Sequence, residues 1–159
     1  MAKHIGIVGC SAPGAALCYE TICMEGPALL GRKYAHPEVS MHTYSFAQYF
    51  RRMKAGDWQG VGEMMLASAE KLKKMGAELV VSPVNLMHQG LDLVIERAPL
   101  PWLHIAEEVA QEAKRRGYKR VALLGTKPLM EGPVYPPKMA AAGLEYAIPK
   151  AEDLRKQIA

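Results

Sequence analysis

The chain has no apolar run of membrane-spanning length. A bilayer-crossing helix needs about 20 consecutive apolar residues. The first run, Ile5 to Val8, ends at Gly9, and Met1-Ala2-Lys3-His4 leads straight into it. Neither a transmembrane helix nor a secretory signal is expected, and the expected location is cytoplasmic. Cysteine is scarce: Cys10, Cys18 and Cys23 are odd in number and crowded near the N-terminus. Their spacing fits neither a zinc site nor a disulfide framework, so reduced thiols and no metal are expected. Aromatics make up 7% of the chain and are not interleaved with basic residues, which argues against a single-strand nucleic-acid surface. The net charge of +4 is dispersed. Lys71, Lys73 and Lys74 fall near one expected helix end, and Lys114, Arg115 and Arg116 near another, where the helix dipole favours cations. No nucleic-acid partner follows from them. The early glycines, Gly6, Gly9 and Gly14, do not fit the dinucleotide fingerprint, so no nicotinamide or flavin cofactor is expected.

What is present is an alternation of strand-like and helix-like stretches in a chain that is 50% apolar. Ile5 to Gly9 reads as a buried strand, residues 10–14 as a turn, and Ala15 to Met24 as a helix. A strand over residues 38–43 and a helix from Phe46 to Lys54 follow. Asp57 is a good N-cap for a helix from Trp58 to Met75, with apolar positions at 61, 65, 69, 72 and 75 and closure at Gly76. Met64, Met65 and Met75 are expected in the core. Gly26-Pro27 and residues 31–37 read as loops. Further strands are expected at residues 78–82, 102–105, 120–124 and 144–148. Helices are expected up to Arg97, over Ala106 to Arg116, and from Ala151. The fold class is therefore α/β, with a mainly parallel sheet flanked by helices. Residues 76–89 and 117–128 look alike and hint at two similar halves: a first α/β domain over 1–98 and the first part of a second over 99–159.

The stretch from Glu78 to Gln89 is a strand, a proline turn and a helix start. In open α/β sheets, ligands bind at the carboxyl ends of strands, and helix-start amides favour anions. The turn after the first strand leaves two readings open: an anion at Ser11 and the neighbouring amides, or a plain connection. His4 and His36 read as surface residues, and His104 as part of a buried strand. Cys18 and Cys23 read as packing residues in their helix.

Ile5-Gly6-Ile7-Val8-Gly9-Cys10-Ser11, Gly56-Asp57-Trp58, Gly76-Ala77-Glu78, Asn85-Leu86-Met87-His88, Leu103-His104-Ile105-Ala106 and Leu123-Leu124-Gly125-Thr126 occur in that order over nearly the whole chain. Together they make the chain resemble the aspartate/glutamate racemase family, whose members invert an amino-acid α-carbon without a cofactor. The resemblance implies a pseudo-symmetric pair of α/β domains, a small carboxylate or amino-acid ligand between them, and commonly a homodimer. It also implies two proton carriers, usually cysteines, on opposite faces of the substrate carbon.

In the family the first carrier, Cys or Thr, directly precedes the Asn of the Asn-to-His motif. Here that position is Val84, which can neither accept nor donate a proton. The hydroxyl residue after the Asn is Leu86. Asn85 and His88 match the family motif. Ser11 and Met53 fall where the family contacts substrate, and Thr126 matches the polar turn of the second half. His88 reads equally as a ligand contact or as a structural residue. Cys10 reads either as a stand-in thiol or as a small apolar filler. The family's second catalytic cysteine lies in a Gly-Cys-Thr-Glu motif, which these residues do not contain. Either the protein is shorter than its relatives or these residues belong to a longer product. The expected function is that of a racemase-family protein with its catalytic position substituted. The alternatives are a non-catalytic carboxylate binder or a one-thiol, decarboxylase-like lyase using Cys10. An incomplete second half would expose sheet, so self-association is expected.

Overall fold

Strand β1 (Ile5–Gly9) forms from a short apolar run closed by glycine, and it becomes a central strand of a parallel sheet. The structure, a computed structural model, describes residues 2–150. The chain divides into two compact units, Met1–Leu103 and His104–Ala159.

In the first unit, β1 is followed by α1 (Ala12–Leu30), β2 (Val39–Thr43), α2 (Phe46–Lys54), α3 (Trp58–Lys74) and β3 (Leu79–Val81). A 3-10 turn over Asn85–Met87, the short α4 (His88–Leu91), a second 3-10 turn over Ile95–Arg97 and β4 (Trp102–Leu103) complete it. All pairings are parallel, in the order β2-β1-β3-β4, with Ile7 beside both Met41 and Val81. Crossover helices cover such sheets, which explains why β1 and β3 are apolar rather than alternating. Gly9 is required at the end of β1, because a Cβ there would lie 2.3 Å from Thr43 Cγ2.

The core of the unit is built on α3. Val61, Met65, Ala69 and Leu72 fall on one face at helical spacing, and all are fully buried against Val8, Val80 and Leu91. Met75 departs from its expected place in the core and is 56% exposed. The helix proper ends at Lys74, and Gly76, at φ 94°, turns the chain away before Met75 can face inward.

Helix α1 also departs from expectation, running through Gly26-Pro27 to Leu30 instead of stopping near Met24. Pro27 removes one backbone donor but leaves the helical φ intact. Gly26 is buried against His36, where a Cβ would lie 2.7 Å from the His36 Cβ, and the helix ends at Gly31 with φ 64°. His4, read as a surface residue, is buried, and its Nε2 lies 2.9 Å from Ser40 Oγ. The helix expected up to Arg97 breaks into three short pieces. Gly62 of α3 and Gly90 of α4 bring two backbones into contact there, and a Cβ on Gly62 would sit 2.3 Å from the Gly90 carbonyl oxygen.

Asp57 caps α3 as expected: its Oδ1 accepts a hydrogen bond from the Gly60 N–H at 2.8 Å, and Oδ2 pairs with Arg52. The Gly60 bond, then the Arg52 guanidinium, hold the carboxyl below its ordinary value. A lowered carboxyl pKa stabilises the fold above the unfolded value, and that contribution is lost as pH falls through the folded value. Asp57→Ala is therefore expected to lower the melting temperature at pH 7. The difference from the parent should shrink as acid protonates Asp57. A difference that stays constant down to strongly acid pH would show that the carboxylate does not cap the helix.

The second unit holds α5 (Ile105–Arg115), β5 (Arg120–Ala122), α6 (Lys127–Met130), α7 (Pro136–Ala141) and β6 (Glu145–Ala147). β5 and β6 pair in parallel. The alanine face of α5 (Ala106, Ala110 and Ala113) packs with Val134, Tyr135 and Met139. Strand β4 is only two residues long, so His104, expected within a strand, instead occupies the N-cap position of α5, where it is buried. The helix expected from Ala151 lies outside the described residues. Among the described residues, no helix is long and apolar enough to cross a membrane.

Candidate functional site

The carboxyl ends of β1 and β3 carry two turns, Cys10-Ser11 and Ser82 to His88. They meet at Gly14 in the first turn of α1. A Cβ on Gly14 would lie 3.2 Å from Ser11 Oγ, and 3.7 Å from both Pro83 Cγ and Val84 Cγ2. Ser11, Pro83 and Val84 thus surround one spot, which is open because position 14 has no side chain.

Ser11 is the N-cap residue of α1 in extended conformation, yet its hydroxyl makes no capping bond. No acidic side chain lies in the first turn of this 19-residue helix. The first N–H groups of a helix lack intrahelical partners, and the dipole places partial positive charge there. The combination of hydroxyl, uncapped helix start and absent carboxylate suits an anion.

The turn after β3 holds the matching motif residues. Val84 is half-buried and extended, at φ −101° and ψ 102°, and packs on the core of the unit. Asn85 and Leu86 are half-buried in the 3-10 turn that follows. His88 is fully buried, with Nδ1 at 3.2 Å from the Val84 carbonyl and 3.3 Å from the Asn85 carbonyl. Carbonyls only accept, so Nδ1 carries the hydrogen and donates to the turn. That tautomer ties the ring to the turn backbone. Met53 packs on the same core from α2. Thr126 belongs to the second unit, where it is exposed at the N-cap of α6 and its carbonyl accepts from Leu129 and Met130.

Cys10 is 1% exposed, with its sulfur 3.8 Å from Ser82 Oγ and 4.0 Å from the Val8 carbonyl. Burial pushes the thiol up to about 11, against the opposing contacts with Tyr49 and Ser82. At neutral pH it is a thiol, a proton donor rather than an acceptor. The Tyr49 hydroxyl lies beside Cys10 and Ser68, and burial first, then Cys10, pushes it above the usual tyrosine range. Ser82 is buried with this group. Sequence reasoning singled out Cys10 but not Tyr49, Ser68 or the role of His42. These residues come from α2, α3 and β2, and no local pattern connects them.

Among the described residues, no cluster of three or more His, Cys, Asp or Glu side chains could hold a metal ion. The second unit has a shallow groove of about 530 Å³ between α5 and β5, lined by Ile105, Val109, Ala113, Tyr118 and Val121. Glu108, Glu112 and Arg116 stand at the same groove, and Glu112 pairs with Arg116.

The family model for Asp/Glu/hydantoin racemases matches residues 7–158. A broad specificity amino-acid racemase of Bacillus subtilis is 27% identical over 105 residues, which are 66% of this chain and 46% of that protein. The chain thus spans about half the length of that curated relative. A Yersinia pestis protein described as a candidate Asp/Glu racemase superposes with a TM-score of 0.89 at 28% identity, covering 99% of this chain and 68% of that one. An aspartate racemase homologue from Pyrococcus horikoshii gives a TM-score of 0.83 at 30% identity, covering 98% and 69%.

Proposed function

The chain belongs to the Asp/Glu/hydantoin racemase family, and on that premise we propose that its first unit binds the carboxylate of a small amino acid or dicarboxylic acid where α1 meets the Ser82–His88 turn. The observation that supports this most is the uncapped start of α1, with the Ser11 hydroxyl against the turn at Gly14. Ser11 and the amides of the first turn would take the carboxylate, with Asn85 beside it and His88 holding the turn in shape. Proton abstraction and return at the α-carbon is the reaction the resemblance implies. Val84, standing at the family's first proton-carrier position, has no group that can take part in it. The unit then acts as a carboxylate binder that does not exchange protons through position 84.

A second reading is favoured by Cys10. A buried thiol that stays protonated at neutral pH is suited to giving a proton to a carbanion, the one-thiol chemistry of a lyase.

Thermal shift with aspartate, glutamate and simple dicarboxylates tests the first reading, because a ligand that binds only the native state raises the melting temperature by mass action. The shift is expected with carboxylates and not with the corresponding amides. Ser11→Ala is expected to weaken binding about tenfold or more, the usual scale for a hydrogen bond to a charged group. Equal shifts for acid and amide ligands, or no effect of Ser11→Ala, would remove the carboxylate assignment.

A further inference from the structure

Two helices of the first unit turn apolar faces to solvent. On α1 only Ala15 and Gly26 are buried, and Ala15 stands against Gly9 of β1. On the opposite side, Leu17, Glu20, Thr21, Met24 and Ala28 recur every three or four residues, and all are exposed. A surface helix ordinarily carries polar and charged residues there. Here Leu17 is 66% and Met24 71% exposed. On α2, Tyr49 is buried and Met53 packs on the core. Phe46, Phe50 and Lys54, each four residues apart, form another side of the helix, and Arg51 flanks them. The two phenylalanines are about half exposed, and their rings form a tilted pair with centroids 6.2 Å apart. Apolar residues scattered singly on a surface need no explanation, but grouped ones mark a contact surface.

The two faces carry opposite charge. Helix α1 contains Glu20 and Glu25 and no basic residue, and Arg32 and Lys33 follow only after the turn at Gly31. Helix α2 contains Arg51, Arg52 and Lys54 and no acidic residue. Arg52 is held by Asp57 of its own chain. Among the described residues, Glu20, Glu25, Arg51 and Lys54 enter no ion pair.

We infer that the outer face of α1 in one copy of this chain docks on the Phe46–Lys54 face of α2 in a second copy. The lengths agree: Leu17 to Met24 rises about 10 Å along α1, and Phe46 to Lys54 about 12 Å along α2. Leu17 and Met24 cover the phenylalanine pair, a contact that the flexible thioether of methionine suits. Glu20 and Glu25 meet Arg51 and Lys54 at its border, where complementary charge selects the partner. Made twice about a two-fold axis, the contact closes a dimer. A second copy fits better than other occupants because each face complements the other. An anionic membrane would attract α2 but repel Glu20 and Glu25, and an acidic protein would leave α1 bare.

Sedimentation velocity of the whole chain over a concentration series tests the contact. The parent is expected to form a species of two chains. Glu20→Lys with Glu25→Lys sets cations against Arg51 and Lys54. Arg51→Glu with Lys54→Glu sets anions against Glu20 and Glu25. Each double variant alone should associate about tenfold or more weakly than the parent, since like charges brought together are costly. An equimolar mixture of the two should regain the parent's association, because each altered face then meets opposite charge on the other variant. Leu17→Ser with Met24→Ser should also weaken association, at high salt as well as low, because an apolar contact is not screened. All these positions are exposed, and circular dichroism matching the parent separates loss of association from loss of fold. A parent that stays a single chain at every concentration would overturn the inference. So would double variants that associate like the parent, or a mixture no more associated than its two components apart.

Discussion

Gly62→Val is expected to destabilise the first unit by about 3 kcal/mol or more, at the upper end of overpacking costs. The magnitude follows from what the new side chain meets. A Cβ at position 62 would lie 2.3 Å from the Gly90 carbonyl oxygen and 2.8 Å from Val94 Cγ2. Backbone cannot rotate aside as a side-chain tip can. The reciprocal position is equally closed, since a Cβ on Gly90 would lie 2.7 Å from the Trp58 carbonyl oxygen and 2.9 Å from the Gly62 nitrogen. Relief requires α4 to move off α3, and α4 begins at His88, whose ring holds the Val84 and Asn85 carbonyls. Carboxylate binding is therefore expected to weaken together with stability. Denaturant melts with and without ligand measure both. A loss below about 1 kcal/mol would mean that the helices separate at little cost and that the close approach does not hold the turn.

Val84→Cys is the second large effect, and it acts on chemistry rather than folding. The parent is expected to exchange the α-hydrogen of aspartate or glutamate with D2O no faster than the Val84→Ala variant, because both lack a proton carrier there. A thiol at position 84 would stand against the first turn of α1, beside the spot that Ser11, Gly14 and Pro83 surround. A positioned acid or base contributes about 10²–10⁴-fold to such a step. Val84→Cys is expected to raise exchange by about 10²-fold, the lower end of that range, since the site offers it no dedicated base. NMR loss of the α-proton signal reads the rate. Exchange in Val84→Cys no faster than in Val84→Ala would show that position 84 does not face the α-carbon. Fast exchange in the parent would show that another residue already does the work.

The alternation of elements was legible along the chain because parallel α/β units write it locally. Strand β1 is a short apolar run closed by glycine, α2 was placed at Phe46 to Lys54, and Asp57 marks the start of α3 by its capping chemistry. The buried stripe of α3 was readable from its period, except at Met75, where the turn at Gly76 ends the helix first. Lengths that depend on neighbours were not readable. Gly26-Pro27 looks like a loop, yet α1 continues because His36 packs on Gly26 and Pro27 tolerates the helical φ. His4 is polar and near the start of the chain, yet Ser40 from β2 gives it a buried partner.

Asn85 and His88 could be singled out along the chain because they sit at fixed spacing in one turn. Their surroundings could not, because they come from distant parts of the chain. Ser11 and Val84 are separated by most of the first unit, yet both lie within 4 Å of where a Cβ on Gly14 would stand. The same holds for Cys10, Tyr49, Ser68 and His42, which no spacing rule links.

The sequence alone determined the class of fold and the family resemblance, because local hydrophobic period, capping and motif order are properties of neighbouring residues. Only the tertiary structure decided which polar groups share a buried space. Long-range packing set that, through Gly62 against Gly90, Gly14 near the β3 turn, and a tyrosine from α2 buried in one core with the thiol at the end of β1.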